Sequence, residues 1–561
     1  MTKQNAVYLW DSKYARTQEN QKEHLFFNAP DIHSNDVRNT SYKLVDELIC
    51  FSRSNFWVKE WSRESIDLLE VGRIAFIFYL FPAVRNWLAW EYLKKKNITN
   101  VTIIAPSELE TVLIREGRQH EIEVIFKPDS ALISNSTATP IHRRVWLGVR
   151  NRLKIIKRII KTQSASYLQP PYPNQDRRRV LFLDHSPNST EILIPIWKQL
   201  VNFEKDQVLY VAGNESVYSV LKKVGINALN IQKCLPASSV MDVKTSHWKN
   251  FIDDFINERW IKDFAPCTKS LHQSLYSLVS LIKTTEMVTL RLQNLFKRFK
   301  PDVVVTSTHA SLEARSSHLL ALKDQVRSLH IQHGMYEGGP TFQNSLADVS
   351  CLWGQLHKDV LSAYPGHGEL IVTGSAKHDS LLDSVKQVTQ NHKPLIVKFC
   401  SRVGGNAINE LGYKKHLKAV YRTAAKLNEY DFVVKIHPGD KLETIIPMIE
   451  DLPTLVNFRI TETDDSYRLI KQSSVVIVYS STIGFEALLF ERRLVILDLV
   501  GKRDWLSMIG NNYTKRVTSE NELVDVIQQE VKLRYTMSAP RDFIWLADGR
   551  ACERIVNLMK N

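Results

Sequence analysis

The sequence predicts an α/β protein: two doubly wound domains facing one another behind an N-terminal α/β extension. Three observations predict it. Short apolar runs recur along the 561 residues, and several stop abruptly at small polar residues. Helical patterns of roughly ten to twenty residues separate most runs of the C-terminal half, as parallel strands require. A proline-rich stretch without apolar periodicity, "QPPYPNQDRRR" (169–179), reads as a linker upstream of both domains.

The composition sets outer bounds. A length of 561 residues suggests about two to four domains. A hydrophobic fraction of 44%, with 20 Gly and 20 Pro, is that of a globular chain able to bury sizeable cores. The net charge of +14 favours anionic partners. Cys50, Cys234, Cys267, Cys351, Cys400 and Cys552 are scattered without a Cys-x-x-Cys pair. That is neither a disulfide framework nor a zinc site, and it fits a reducing cytosol. "MTKQNAVYLWDSKY" has no basic region leading into an apolar core, so no secretory signal is expected. "IAFIFYLFPAV" (74–84) is too short to span a bilayer and reads as a buried helix.

The extension, residues 1–168, alternates strands with helices. "AVYLW" (6–10), "DELICFS" (46–52), "NVTIIAP" (100–106) and "EIEVIFKP" (121–128) are strand-like, with a helical pattern from about Glu64 to Lys96. From Arg143 to Lys161 there are eight Lys or Arg and no acid. Val145, Val149, Leu153, Ile156 and Ile160 share one helical face, and Arg150, Lys154, Lys157 and Lys161 another. Such a helix suits an anionic membrane surface, or a core with a solvated basic face.

The first Rossmann-like domain, expected over 177–345, opens with an apolar strand running into Asp184, His185 and Ser186. Asn188 or Ser189 is the expected cap of the helix behind it. "DQVLYVAG", "PDVVVTSTHA" and "RSLHIQHG" are further strands, and 238–299 looks helical. The second domain, expected over 346–535, repeats the pattern with "ELIVTGS", "PLIVKFC", "DFVVKIHP", "SVVIVYSS" and "RLVILDL". Residues 536–561 form a tail or helix. Ligands of open parallel sheets bind beyond the carboxyl ends of the strands. The motifs that end these strands are therefore the candidate site.

Ser480, Ser481 and Thr482 place three hydroxyls before a helix, where free N–H groups and hydroxyls suit a phosphate or carboxylate. The simpler alternative is a helix cap. His437 follows a strand, and Pro438 and Gly439 turn the chain sharply, so the ring can donate to a nucleotide or diphosphate oxygen. Lys435 precedes it on the same face. His333, after Gln332, suits a general base or a phosphate donor. Gly374, Ser375 and Lys377 of "TGSAKHD" either line a cleft between the domains or form a simple turn. "TETDD" (461–465) reads as a helix cap rather than a metal site. Nucleic-acid binding is disfavoured, because the basic residues lack interleaved aromatics.

"QHG", "ADVSCLWG", "VTGSAKHD", "KIHP" and "SSTIGFEALLFERRLVILD" occur in one order over roughly residues 300–500. In this the chain resembles bacterial surface-polysaccharide glycosyltransferases of the GT-B architecture. That group includes capsule Kdo transferases, sialyl- and polysialyltransferases and CDP-glycerol glycerophosphotransferases. The resemblance implies a nucleotide-sugar donor, with a cytidine nucleotide such as that of CMP-Kdo or CMP-sialic acid first. It implies an acceptor that is a surface glycan or its lipid-linked precursor, a cytoplasmic or peripheral inner-membrane location, and no metal or other cofactor. It places His437 on the nucleotide and Ser480, Ser481 and Thr482 on its phosphate or the sugar carboxylate. It makes His333 the catalytic histidine. The acidic motif of the sialyltransferases has no clear counterpart, and Glu313, Asp184 and Glu337 are the available carboxylates. On the same scaffold, the rivals are a CDP-glycerol transferase, an enzyme like the UDP-sugar 2-epimerases, and a non-catalytic membrane-associated assembly factor.

Overall fold

A computed structural model describes residues 34–54, 66–95, 176–203, 205–234, 245–258, 274–336, 345–364, 366–385, 393–403, 410–479, 481–500, 514–533 and 544–560. It also describes the short segments 5–9, 25–28, 62–63, 100–104 and 123–126, and a few isolated positions. Residues 143–161, Glu337 and Ser480 lie outside the described residues.

The extension holds β1 (Asn5–Leu9), β2 (Leu25–Asn28), α1 (Ser34–Ser54), a short antiparallel pair β3 (Ser62–Arg63) and β4 (Ile66–Asp67), α2 (Leu68–Lys95), β5 (Asn100–Ile104) and β6 (Glu123–Phe126). Four of these strands form a parallel sheet in the order β2-β1-β5-β6. The strand expected at 46–52 is instead the second half of α1. Ser41, Leu44, Val45, Leu48, Ile49 and Ser52 are all buried, a three-to-four-residue spacing that only a helix puts on one face. α2 carries the 74–84 run as a buried helix, with Ile74, Phe76, Ile77, Leu80 and Val84 inside. No helix among the described residues is long and apolar enough to cross a membrane.

The first large domain comprises β7 (Arg178–Asp184), α3 (Pro187–Val201), β8 (Asp206–Ala212), α4 (Glu215–Lys223), β9 (Ala228–Asn230), α5 (Thr245–Glu258), α6 (Val279–Phe299), β10 (Val303–Thr306), α7 (Leu312–Lys323), β11 (Arg327–Ile331), β12 (Val349–Leu352), α8 (Gln355–Ser362), β13 (Glu369–Val372) and α9 (Ala376–Val385). Its seven parallel strands run in the order β13-β12-β11-β10-β7-β8-β9. Numbered within the domain, that is 3-2-1-4-5-6-7, and the order reverses between β7 and β10. The helix α3 starts at Ser186, with Pro187 in its first turn. The expected cap Ser189 instead donates its hydroxyl to Asp184, at 2.6 Å.

The second domain comprises β14 (Leu395–Phe399), α10 (Glu410–Lys426), β15 (Asp431–Lys435), α11 (Leu442–Ile445), β16 (Phe458–Thr461), α12 (Ser466–Gln472), β17 (Val475–Val478), α13 (Ile483–Leu489), β18 (Arg493–Leu497), β19 (Thr514–Val517) and α14 (Glu520–Lys532). Its order is β16-β15-β14-β17-β18-β19, all parallel, reversing between β14 and β17. Asp465 caps α12 by accepting from the Arg468 N–H at 2.7 Å, as "TETDD" suggested. Two parallel-sheet α/β domains of this order are the GT-B arrangement.

Two domain boundaries differ from expectation. β12 and β13 belong to the first sheet, so the first domain runs past 345 to α9. Val349 and Cys351 pack into the core of that sheet, which their strand neighbour β11 extends. The C-terminal residues are also no free tail. α15 (Ala551–Lys560) returns to the first domain, burying Ile555, Val556 and Met559 against α3. The domains share an apolar junction in which Met335, Trp353 and Leu356 meet Val397, Phe399, Val476, Val478 and Trp545. The Trp353 and Trp545 rings stack at 5.9 Å.

The extension is fastened by charge. The wholly buried Arg315 of α7 donates to the Glu70 carboxylate at 2.7 Å and to the Glu70 carbonyl at 3.0 Å. Glu70 also accepts from Arg73 and Arg53. A buried guanidinium this deep needs such partners, because an unpaired charge in low dielectric is prohibitive.

Candidate functional site

The carboxyl ends of β7, β10 and β11 meet at the switch point of the first sheet, the position at which open sheets bind ligands. At the end of β7, His185 Nδ1 lies 2.9 Å from Glu313 Oε2 in the first turn of α7. The contact is an ion pair when the imidazole is protonated. The His185 side chain is 45% exposed and that of Glu313 9%. Glu313 raises the His185 pKa by more than burial lowers it, and Asp184 adds to the rise. The structure thus presents a carboxylate-supported imidazole to solvent.

His333 ends the turn after β11. Its side chain reaches solvent, yet the protein around it is dense enough to lower its pKa. A hydrogen bond to the Ser307 backbone and the charge of Asp184 oppose that shift in part. The turn is held by Gln332, whose side chain accepts from the Trp353 N–H at 2.7 Å and donates to the Gly334 carbonyl at 2.8 Å. Met335, two residues on, packs into the domain junction.

Asp184 corrects an expectation. It has no exposed surface. Its oxygens accept from Ser189 at 2.6 Å, Ser307 at 3.0 Å and the Ser186 N–H at 3.3 Å. A carboxylate spent on these three donors and on the Tyr210 hydroxyl at 3.4 Å cannot touch a substrate, so it holds the β7 and β10 ends together instead of acting as a base.

On the second sheet, His437 Nδ1 accepts from the Gly439 N–H at 2.9 Å, which leaves the ring proton on Nε2. Pro438 and Gly439 are exposed beside it. A Cβ at Gly439 would stand 3.2 Å from His437 Nδ1 and 3.3 Å from Arg402 Nε, so glycine lets the guanidinium and the imidazole close up. Burial and Arg402 lower the His437 pKa, against Asp440. Lys435 points elsewhere: it is buried and its ammonium donates to the Glu462 carbonyl. Thr482 stands at the N-cap of α13 but its side chain accepts no helix N–H, and Ser481 is half-buried beside it.

Gly374, Ser375 and Lys377 follow β13 of the first sheet, at the domain junction. Gly374, at φ +85°, passes so close to the Leu546 carbonyl that a Cβ would lie 2.5 Å from it. Ser375 is buried. Lys377 is paired with Glu191 at 3.1 Å and with Glu486 of α13 at 3.5 Å. His378 reaches the same Glu486 at 3.1 Å. This segment bridges the domains.

Two residues of the site were not singled out in the sequence. His185 ends a strand as His333 and His437 do, and the same rule would have found it. Arg402 follows "FCS" at the end of β14, an equally legible position. Among the described residues no His, Cys, Asp and Glu cluster that could hold a metal occurs.

Comparison with known proteins adds the family. No curated protein matches the chain. The UDP-GlcNAc 2-epimerase of Neisseria meningitidis, bound to UDP-GlcNAc, is similar at 16% identity over 68% of this chain and 100% of that one, with a TM-score of 0.46. The S. aureus MnaA–UDP co-structure shows 16% identity over 68% and 96%, with a TM-score of 0.44. Acinetobacter baumannii MurG shows 14% identity over 68% and 99%, with a TM-score of 0.40. Residues 263–560, more than half of the chain, match the family described as UDP-N-acetylglucosamine 2-epimerase. The protein belongs to the UDP-N-acetylglucosamine 2-epimerase family.

Proposed function

We propose that the chain acts on a nucleotide-activated sugar, with a UDP-N-acetylhexosamine as first candidate and inversion at C2 as the reaction. One observation carries this reading. Two histidines at the carboxyl edge of the first sheet, His185 after β7 and His333 after β11 with β10 between them, have pKa values displaced in opposite directions. Environments that split a pair of titratable groups in this way assign an acid and a base. Inverting C2 requires its proton to leave as the C1–O bond to the diphosphate breaks, giving a C1=C2 double bond and UDP, and UDP then adds back at C1 as a proton returns to C2 on the other face. His333, whose pKa burial lowers, is the base, and His185, whose pKa Glu313 raises, is the acid. His437, Arg402, Ser481 and Thr482 supply donors for the diphosphate at the second sheet, and Ser480 joins them by its place in the sequence. The family match supports the UDP-sugar over the cytidine nucleotide expected from the motifs.

A second reading is transfer of the sugar to a glycan or lipid-linked acceptor at the inner membrane face. The observation that favours it is the α/β extension with its own parallel sheet, which lies wholly upstream of the matched residues. The experiment is incubation with UDP-GlcNAc in deuterium oxide. Epimerisation gives deuterium at C2 and an epimer mixture visible by NMR without any acceptor. Transfer gives neither, and releases nucleotide only when an acceptor is added. If CMP or CDP raises the melting temperature and UDP does not, the UDP-sugar reading fails.

A further inference from the structure

β14 alternates across its sheet. Val397 and Phe399 enter the core at the domain junction, and Ile396 and Cys400 enter the core beneath α10. Lys398 shares the second face, at a position where an aliphatic residue belongs. It is 3% exposed, and its Nζ has no hydrogen-bond partner among the described residues. It lines a cavity with Cys400, Ser401, Tyr413, His416 and Tyr479, at the point where the order of the second sheet reverses.

Burial favours the neutral form of the Cys400, Tyr413 and His416 side chains in that lining. Burial pushes the Cys400 thiol and the Tyr413 phenol up, and it pushes the His416 imidazole well down. His416 Nε2 accepts from the Leu499 N–H at 3.2 Å, so its proton sits on Nδ1 and the ring is a donor. No carboxylate is among the lining residues. Burial lowers the Lys398 pKa to about 8, so at pH 7 the group still carries its charge, at a cost that a bound anion would relieve. The cavity has room for one water-sized atom.

We propose that this cavity is a binding site for a small anion, which enters as a halide ion or as one oxygen of a carboxylate or phosphate and neutralises Lys398. The site lies between the second sheet and α10, which supplies Tyr413, His416 and Leu417, and the proposal does not depend on the sugar chemistry proposed above. The test is the melting temperature of the full chain against sodium chloride, sodium acetate and sodium phosphate, for wild type and Lys398→Met. A saturable rise with at least one salt in wild type, absent in the variant, is expected, because an anion that binds only the native state stabilises it. The salt that acts distinguishes halide from carboxylate and phosphate. Without added anion, Lys398→Met should melt no lower than wild type. Identical responses in both proteins, or no response to any salt, would mean that the cavity holds only water. Crystals grown in sodium bromide give a second measurement that does not need the variant to fold. Anomalous density within hydrogen-bond reach of Lys398 Nζ is expected for a halide site. A halide assignment from the melting data is overturned if that position is empty at bromide concentrations that saturate the melting response.

Discussion

His185 and Glu313 approach to 2.9 Å across the end of β7 and the first turn of α7, with the imidazole in solvent and the carboxylate behind it. Removing the carboxylate tests whether the pair works as a unit. In Glu313→Gln the His185 pKa should fall, since the group that raises it is gone. If protonated His185 is the acid, activity is lost as pH rises through its pKa, so the alkaline limb of the rate profile moves to lower pH. Stability follows the same sign. The pair stabilises the fold below the ordinary histidine pKa of about 6.5, and this is lost as pH rises through the raised value. Rate profiles of both proteins check the shift.

His333→Asn should lower kcat by about 10²- to 10⁴-fold, the usual yield of general acid–base catalysis, with UDP affinity retained. Asp184→Asn should behave differently. Its carboxylate is enclosed by internal donors, so the variant loses about 1–3 kcal/mol of stability, measured by urea unfolding. Near wild-type turnover in His333→Asn would move the base to another group.

His437→Ala should weaken UDP binding about tenfold to a hundredfold, the equivalent of a lost hydrogen bond to a charged group. Its Nδ1 is committed to the Gly439 N–H, so Nε2–H is the donor that remains for a diphosphate oxygen. Calorimetry with UDP measures this directly, and unchanged affinity would place the nucleotide elsewhere.

Glu70→Gln should destabilise the protein by about 3–5 kcal/mol, because it strands the buried Arg315. Burial opposes ionisation of Glu70, but the hydrogen bond from Arg73 and the charges of Arg73, Arg315 and Arg53 prevail and hold its pKa at about 2. A depressed carboxylate pKa contributes stability above the unfolded value of 4.5 that is lost as pH falls toward 2. Wild type should therefore lose stability in that acid window, and Glu70→Gln should lose less there.

The strands were legible where they are long and apolar. "RVLFLD", "DQVLYVA", "DFVVK" and "SVVIV" each carry the run of a strand buried on both faces, and the small or polar residues at or just beyond the end of each run marked the carboxyl edge. His333 and His437 could be picked out for that reason. The shorter β2, β9, β16 and β19 have three or four residues each and too little apolar pattern to stand out. "DELICFS" read as a strand because four apolar residues crowd into seven, and only the helix-spaced burial from Ser41 to Ser52 decides between the two periods.

The sequence by itself determined the parallel α/β class, the strand-end histidines and the turn chemistry of Pro438 and Gly439, because these depend on residues close together in the chain. Tertiary structure alone decided the rest. Asp184 and Glu313 look alike as carboxylates in the sequence. One is enclosed by Ser189 and Ser307, and the other is brought to His185 across more than a hundred intervening residues. The edge of the first sheet, the return of α15 to α3 and the burial of the Lys398 ammonium without a hydrogen-bond partner among the described residues are of the same kind. Each depends on which surfaces meet when the sheets close, and burial and charge pairing over long separations leave no local pattern in the chain.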